Sequence, residues 1–351
     1  MSPTDRLAIV IYDDSVQTIV PSTPVENKEQ LRSAIYSLRP GGSTNLFGGL
    51  EQGYAEARKN FCKDCVNRIV FLSDGLANVG VTDPRQIEAE AKLIRESGIS
   101  VSSMGVGVDY NETLMANMAD ASGGNYYYIS RETNMADVFG KEWNLMQSLV
   151  ATNATAKLKL GKDVQVVDVA GYQWQQQANS VVIQVPDIYS GQTKRILVQL
   201  HVPATTRGTI DLGQGELSCT DLSSKQPQLV QLGFHPSIQV IQDRQMVDKN
   251  YDRDVRVKAT SILASRKMDE AYKQVASGNV AAAQAANAEA IQILGEAPLV
   301  DAKDLEQQKA RYQEDNDHLK APMPADAPAT QHFLKKQKEE ERSNQQSDTA
   351  H

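Results

Sequence analysis

Two short stretches of the sequence combine oxygen-bearing side chains with glycine in a way that suits a cation site. The first is GGSTN, in which Ser43 and Thr44 follow two glycines just before a helical pattern begins. The second is SDG, in which Asp74 and Gly75 follow the apolar run RIVFLS. Hydroxyl and carboxylate oxygens are hard donors that suit Mg²⁺, Mn²⁺ or Ca²⁺, and glycine lets the backbone approach a ligand closely.

Each of these residues also has an ordinary structural explanation. Thr44 could cap the helix that follows it, and Asp74 could be a turn residue at the end of a strand. Their position favours a ligand role, because RIVFLSD delivers Asp74 to the carboxyl edge of a parallel sheet, where open α/β folds bind their ligands. Thr44 lies about one βα unit earlier in the chain. We therefore predict that both oxygens meet in one crevice.

Strands and helices alternate over the first 150 residues, which is typical of a Rossmann-like parallel sheet flanked by helices. Apolar runs predict the strands, and apolar stripes with helical spacing predict the helices. The predicted strands are 6–14, 15–20, 68–74, 99–107 and 125–130. The predicted helices are 27–38, 46–60, a third that ends at Gly98, 111–121 and 134–149.

The pattern changes after residue 150. Alternating apolar residues without intervening helices predict an antiparallel β-sandwich over 151–245. Residues 246–320 return to helical spacing, with an αα-hairpin that turns at Ser277 and Gly278 and a further helix over 301–319. The polar segment 321–351 is predicted to be a disordered tail. The chain is thus predicted to be α/β, followed by a sandwich and a helical hairpin.

Composition and motifs exclude several functions. The formal net charge of −8 disfavours a nucleic-acid partner. No stretch reaches the ~18–20 apolar residues of a transmembrane segment, and no export signal stands at the start. The sequence contains no GxSxG, HExxH or P-loop motif and no histidine with a ligand partner at suitable spacing. We therefore predict no catalytic residues and no enzymatic activity.

The chain has 3 cysteines, two of them in the CxxC motif of Cys62 and Cys65. Neither a second CxxC nor paired histidines supply the other ligands that a structural zinc needs. An inert thiol pair or a local disulfide is the favoured interpretation, with metal or redox chemistry as the alternatives. Cys219 stands alone and is interpreted as a packing residue.

Four segments in order, DRLAIVIYDD, GGSTNLFGGL, RIVFLSDGLANVG and SVSSMGVGVDYNETL, resemble the von Willebrand factor type A domain in its bacterial form over residues 1–150. The resemblance implies a metal-ion-dependent adhesion site with an Asp-x-Ser-x-Ser loop, a threonine and an aspartate. Thr44 and Asp74 match the second and third elements, with Ser43 and Gly75 in support. The Asp-x-Ser-x-Ser loop is missing, so the chain looks N-terminally shortened, without the family's first strand and helix.

This missing strand has two consequences. In the family it lies between the strands at 6–12 and 68–74, so these strands must either close up against one another or accept a partner, since unpaired strand edges invite pairing with another chain. The remaining site should bind Mg²⁺ weakly or not at all, because waters would replace three protein oxygens.

The resemblance implies a non-enzymatic module that binds a protein ligand, through an acidic side chain that completes the coordination of the metal. The alternative is a metal-independent structural or assembly scaffold that binds through the helical hairpin. For the compartment, the family implies the cell envelope or the cell exterior.

Overall fold

The computed structural model describes residues 1–63, 65–130, 134–204, 207–224, 226–231, 236–296, 303–320, 324 and 327–348. The chain forms two compact units that interleave along the sequence. Unit 1 comprises Met1–Ala154, Pro186–Ser190 and Thr220–Pro227, and unit 2 comprises Thr155–Val185, Gly191–Cys219 and Gln228–His351. The predicted division into consecutive domains, with boundaries at 150, 245 and 320, stays a prediction.

Unit 1 contains the alternating strands and helices. In chain order these are β1 (Arg6–Tyr12), β2 (Val16–Pro24), α1 (Lys28–Tyr36), α2 (Leu46–Lys59), β3 (Arg68–Ser73), α3 (Pro84–Glu96), β4 (Ser100–Val106), α4 (Glu112–Ser122), β5 (Tyr126–Ile129) and α5 (Met135–Gln147). Strands β3, β4 and β5 form a parallel sheet in that order, and β1 and β2 form a separate antiparallel pair.

The core of unit 1 lies between this parallel sheet and the helices. Apolar residues at helical spacing on α2 and α3, such as Leu46 and Leu50 or Ile87 and Ile94, are buried in one core cluster with Phe71 of β3. This is the burial that the apolar stripes of these helices predict. The helices thereby hold the carboxyl ends of the strands, where Asp74 follows β3, in a fixed position.

Strands β1 and β3 do not form one continuous sheet. Among the described residues, β1 pairs only with β2 and β3 pairs only with β4. A side-chain contact links the two strands instead, because the ring of Tyr12 stacks on that of Phe71, with 5.0 Å between the ring centroids. The Tyr12 hydroxyl also donates a hydrogen bond to the backbone carbonyl of Leu72. The two strands therefore do not close up through backbone pairing.

The strands that follow α5 are antiparallel. They are β6 (Leu149–Leu160), β7 (Gln165–Val169), β8 (Trp174–Gln177), β9 (Ser180–Gln184), β10 (Ile188–Tyr189), β11 (Thr193–Lys194), β12 (Val198–His201), β13 (Gly208–Asp211), β14 (Gly213–Asp221), β15 (Gln226–Gln231) and β16 (Ser237–Val240). The largest sheet has the order β15-β14-β6-β9-β8, with β10 paired to β6, and β7 pairs with β12 and β13 with β16. The predicted α/β class, with antiparallel sheets and helices after the parallel sheet, is confirmed.

The C-terminal part of unit 2 is helical. Its elements are α6 (Arg244–Lys249), α7 (Arg253–Ala276), α8 (Val280–Glu296), α9 (Lys303–Lys320), α10 (Pro328–Gln346) and the short strand β17 (Ser347–Asp348), which pairs with β11. Helices α7 and α8 form the predicted hairpin, in which Gly278 at the turn has a φ of 73°. A positive φ is readily adopted only by glycine, which explains the residue type.

The prediction of a disordered tail over 321–351 is wrong for the residues of α10. This helix packs against α7, where the ring of Phe333 meets the ring of Tyr272 edge-on at 5.7 Å between centroids. Leu334 is buried in the same core as Met268 of α7 and Tyr312 of α9. Two adjacent apolar residues thus dock a helix whose overall composition is strongly polar.

Candidate functional site

The loop that precedes α2 is held by a cap that is not Thr44. Asn45 is the N-cap residue of α2, and its side-chain oxygen accepts a hydrogen bond from the backbone N–H of Gly48 at 3.0 Å. Capping by asparagine satisfies one of the free N–H groups at the start of the helix. The alternative that Thr44 serves as the helix cap is therefore wrong, and its hydroxyl is not used in capping.

Reciprocal hydrogen bonds tie this loop to the loop that follows β3. The side-chain oxygen of Asn78 accepts a hydrogen bond from the backbone N–H of Thr44 at 2.7 Å. In return, the carbonyl of Thr44 accepts from the backbone N–H groups of Asn78 at 3.1 Å and Val79 at 3.4 Å. Asn45 and Asn78 thus have the loop-supporting role that their residue types indicate.

The Thr44 hydroxyl lies against Gly75, next in sequence to Asp74. A methyl group added at position 75 would lie 2.8 Å from the Thr44 Oγ1 atom, which is closer than two such atoms approach without strain. Thr44 is half-buried and Asp74 is exposed at the rim. Ser43, the predicted supporting residue, is half-buried and has no side-chain hydrogen bond among the described residues. The structure therefore brings Thr44 and Gly75 together, as a shared crevice requires.

Two hydroxyl groups, those of Ser73 and Tyr12, lie near the turn that carries Asp74. The Ser73 hydroxyl donates to the backbone carbonyl of Gly75 at 3.0 Å, which shapes the turn after β3. Burial, reinforced by the negative charge of Asp74 and partly offset by a hydrogen bond with Ser73, raises the pKa of Tyr12 well above its usual value. Tyr12 thus remains a neutral hydroxyl beneath this turn.

Sequence reasoning missed a second carboxylate in this region. Asp13 lies in the β1–β2 turn, and its side chain fills the space beside the Gly41 backbone that any larger residue at position 41 would need. Its Oδ1 atom accepts from the backbone N–H and the hydroxyl of Ser15, at 2.8 and 3.1 Å. These hydrogen bonds lower the pKa of Asp13. The glycine pair at 41 and 42 was the only sequence signal for this contact, and Asp13, its partner, lies far from it in the chain.

The donor set suits a hydrated cation rather than an enclosed one. No group of three or more His, Cys, Asp or Glu side chains in the described ranges could hold a metal ion together. One hydroxyl and one carboxylate match the donor type that Mg²⁺ prefers, and Mg²⁺ characteristically keeps several of its waters. The donor types of Thr44 and Asp74 are therefore those that a partly hydrated Mg²⁺ accepts.

Comparison with known proteins agrees with this architecture. The family model of the von Willebrand factor type A domain matches residues 1–141. Residues 1–141 are a von Willebrand factor type A domain. The Escherichia coli K12 protein YfbK is 40% identical over 156 residues, which are 44% of this chain and 27% of YfbK. Human inter-alpha-trypsin inhibitor heavy chain H3 is 27% identical over 128 residues, or 34% of this chain and 14% of that protein. The chain therefore matches only a minor part of either relative.

Solved structures of the von Willebrand type extend the likeness beyond this domain. A von Willebrand factor type A protein from Catenulispora acidiphila superposes over 100% of this chain and 82% of its own, with a TM-score of 0.68 and 12% identity. VWA2, the ArnB paralog from Sulfolobus acidocaldarius, covers 98% of this chain and 80% of its own, with a TM-score of 0.51 and 16% identity. At such identities the likeness concerns the fold alone.

Von Willebrand factor type A domains form a family of protein-interaction and adhesion modules, and this chain carries one. Within the part of the chain that the structure describes, no helix has the length and apolar character required to cross a membrane.

Proposed function

We propose that this chain is a non-enzymatic protein-binding module whose von Willebrand factor type A domain uses Mg²⁺ at Thr44 and Asp74 to recognise an acidic side chain of a protein ligand. One observation carries the proposal. The Thr44 hydroxyl, free of any capping role, lies against Gly75 at the carboxyl end of β3, beside Asp74.

The chemistry follows from the charges of the donors. Thr44 would supply a neutral hydroxyl, and Asp74 would contribute a single negative charge directly or through a water. When bound, the ion supplies a Lewis-acidic position that a carboxylate of the ligand can occupy. Because only one of these two donors carries a negative charge, Thr44 and Asp74 together leave the ion with a positive charge that attracts an acidic partner. Gly42 and Gly75 leave the backbone room around it.

Isothermal titration calorimetry of the full chain with Mg²⁺ alone tests the metal site. We expect weak binding, because waters provide most of the coordination shell. Thr44→Val removes the hydroxyl with little change of shape, and Asp74→Asn removes the charge. Each should lower the affinity by about tenfold or more, a free-energy loss of about 1.4 kcal/mol. Glu96→Gln, at an exposed position on α3, removes the same charge and should leave the affinity unchanged.

Two outcomes would reject the proposal. One is the absence of binding heat and of thermal stabilisation by Mg²⁺ or Mn²⁺ in the unaltered chain. The other is equal loss of binding in Glu96→Gln and in Asp74→Asn, which would indicate a non-specific effect of net charge.

The second candidate function is a metal-independent scaffold that binds through the helical hairpin of α7 and α8. The exposed apolar residues Val255 and Leu263 on α7 favour it, since exposed apolar side chains supply contact area for a partner. Partner binding that persists unchanged in a chelator, and that is lost on replacing Val255 and Leu263 by serine, would support the scaffold and contradict the metal-dependent module.

A further inference from the structure

The loop between α2 and β3 contains a disulfide. Cys62 and Cys65 are joined by an S–S bond. Of the interpretations of the CxxC motif, the structure therefore shows the local disulfide. The loop connects the end of α2 to the start of β3, whereas Thr44 and Asp74 lie at the opposite ends of the same two elements. The disulfide is therefore separate from the candidate metal site.

The two cysteines of this pair differ in exposure. Cys65 is exposed and Cys62 is half-buried. Phe61 and Val66, which flank the pair, are themselves 41% and 39% exposed. The Phe61 ring lies against Gly98. An exposed cysteine is open to attack by a thiol, and its exposed apolar neighbours offer contact area to the molecule that carries that thiol.

The side chain of Asn67 shapes the loop independently of the S–S bond. Its oxygen accepts from the backbone N–H of Cys62 at 3.2 Å, and its amide nitrogen donates to the carbonyls of Cys62 at 2.7 Å and Cys65 at 3.1 Å. The backbone N–H of Cys65 also donates to the carbonyl of Cys62 at 3.2 Å. These four hydrogen bonds hold the two cysteines in one turn, so the thiols should stay close together after reduction.

We propose that Cys62 and Cys65 form a reversible redox site that exchanges electrons with an external dithiol. A thiolate of the dithiol attacks the sulfur of Cys65, the more exposed of the two cysteines, the S–S bond breaks, and Cys62 leaves as a thiolate that takes up a proton. The second thiol of the dithiol then attacks the mixed disulfide and releases Cys65. Two electrons and two protons pass to the protein, and the dithiol becomes a disulfide. Oxidation by an external disulfide is the reverse.

The first experiment measures accessibility in the folded chain. The full chain is treated with dithiothreitol, quenched with a thiol-alkylating reagent and analysed by mass spectrometry, and the same reaction is run on the chain unfolded in urea. We expect the folded chain to gain two adducts at a rate within about tenfold of the unfolded one, since exposure controls attack. Its circular dichroism should not change. A folded-state rate more than tenfold slower, or loss of structure on reduction, overturns the proposal.

The second experiment tests the role of Asn67 in re-oxidation. After the reductant is removed, the reduced chain should re-form the Cys62–Cys65 bond within one molecule. Asn67→Ala should slow this step by about threefold or more, because the loop no longer holds the thiols together. Asn60→Ala, in the same loop, is the matched control and should not slow it. If Asn67→Ala does not fold, Asn67→Asp takes its place, since it keeps the acceptor for the N–H of Cys62 and replaces the amide donor by a carboxylate oxygen. Equal rates in these variants, or disulfide-linked dimers as the main product, contradict the proposal.

Discussion

At residue 75, glycine is required by the side chain that lies over it and not by its backbone conformation. The Thr44 hydroxyl occupies the space in which a methyl group would sit. Gly75→Ala should therefore push the hydroxyl away from the crevice while the fold is retained. If Thr44 is a metal ligand, we expect the affinity for Mg²⁺ to fall about tenfold or more, because a displaced donor no longer meets the geometry that Mg²⁺ demands. Calorimetry measures the change.

Gly140→Ala is the matched control for this substitution. Gly140 lies within α5, and a methyl group there would meet nothing within 4 Å. Alanine is also the better helix former, so this variant should be slightly more stable and should bind Mg²⁺ unchanged. Unchanged affinity in Gly75→Ala would show that the Thr44 hydroxyl is not a ligand.

The sequence predicted some residues of the candidate site and missed others for a physical reason. Asp74 and Thr44 were predictable because each follows a local pattern, an apolar strand or a glycine-rich turn. The choice between Thr44 and Asn45 as helix cap was not, since both are suitable cap residues and adjacent. The position of Asp13 against Gly41 depends on a contact between loops that are far apart in sequence, and spacing alone carries no signal for it.

At the scale of elements, periodicity predicted the helices and strands of unit 1 within a few residues. The pairing between strands was harder to predict, since an apolar run such as RLAIVIY does not reveal whether its neighbour in the sheet will be β2 or β3. Helix α10 was mispredicted for a different reason. Its polar composition predicted disorder, but its docking depends on Phe333, Leu334 and an ion pair at 2.7 Å between Lys338 and Asp269, which is 69 positions away.

Helix α9 carries a buried carboxyl whose ionisation opposes folding. Asp315 is buried, and the hydroxyl of Tyr272 donates to it at 2.8 Å. Burial raises the pKa of Asp315, and among the charges that face it Glu340 adds to this effect while Arg311 and His318 oppose it. A raised folded-state pKa means that this carboxyl stabilises the fold most when protonated at low pH, and that the contribution is lost as the pH rises through the folded pKa.

Asp315→Asn should therefore stabilise the helical region at pH 7 and have little effect at pH 4. Asparagine keeps an acceptor for Tyr272 but never ionises. We expect the thermal midpoint at pH 7 to rise by about 2–4 °C, the shift that ~1 kcal/mol produces in a domain of this size. Thermal unfolding at both pH values, followed by circular dichroism, measures it. Glu314→Gln, at the exposed neighbouring position, is the control. An equal effect of Asp315→Asn at both pH values would contradict this explanation.

At the scale of the whole molecule, the sequence did not predict that the chain leaves unit 1 and then returns to it. Residues 186–190 belong to unit 1, although the segments on either side, 155–185 and 191–219, belong to unit 2. Backbone hydrogen bonds hold the returning segment, from Asp187 to the carbonyl of Gly123 at 3.1 Å and from Ser190 to that of Ser148 at 2.7 Å. In the sequence, PDIYS is only a short break between two segments in which apolar and polar residues alternate.

A buried ion pair anchors this returning segment. The Asp187 carboxylate accepts from the Arg68 guanidinium at 2.8 Å and from the Ser100 hydroxyl at 2.9 Å. Glu142 lies 3.8 Å from the same guanidinium. The side chains of Arg68 and Asp187 are only 3% and 4% exposed. Charges removed from water to this extent are tolerable only when paired, so the loss of one partner should be costly.

Asp187→Asn should therefore destabilise unit 1 by about 3–5 kcal/mol, since it leaves the buried Arg68 guanidinium with Glu142 as its charged partner. Urea unfolding of a Trp174→Phe background, in which Trp143 on α5 reports on unit 1, measures the loss. Glu29→Gln is the control, because the Arg32–Glu29 pair is 63% and 78% exposed and an exposed pair contributes only about 0–1 kcal/mol. If both substitutions have the same small effect, the buried pair does not anchor residues 186–190, and their place in unit 1 depends on the backbone hydrogen bonds alone.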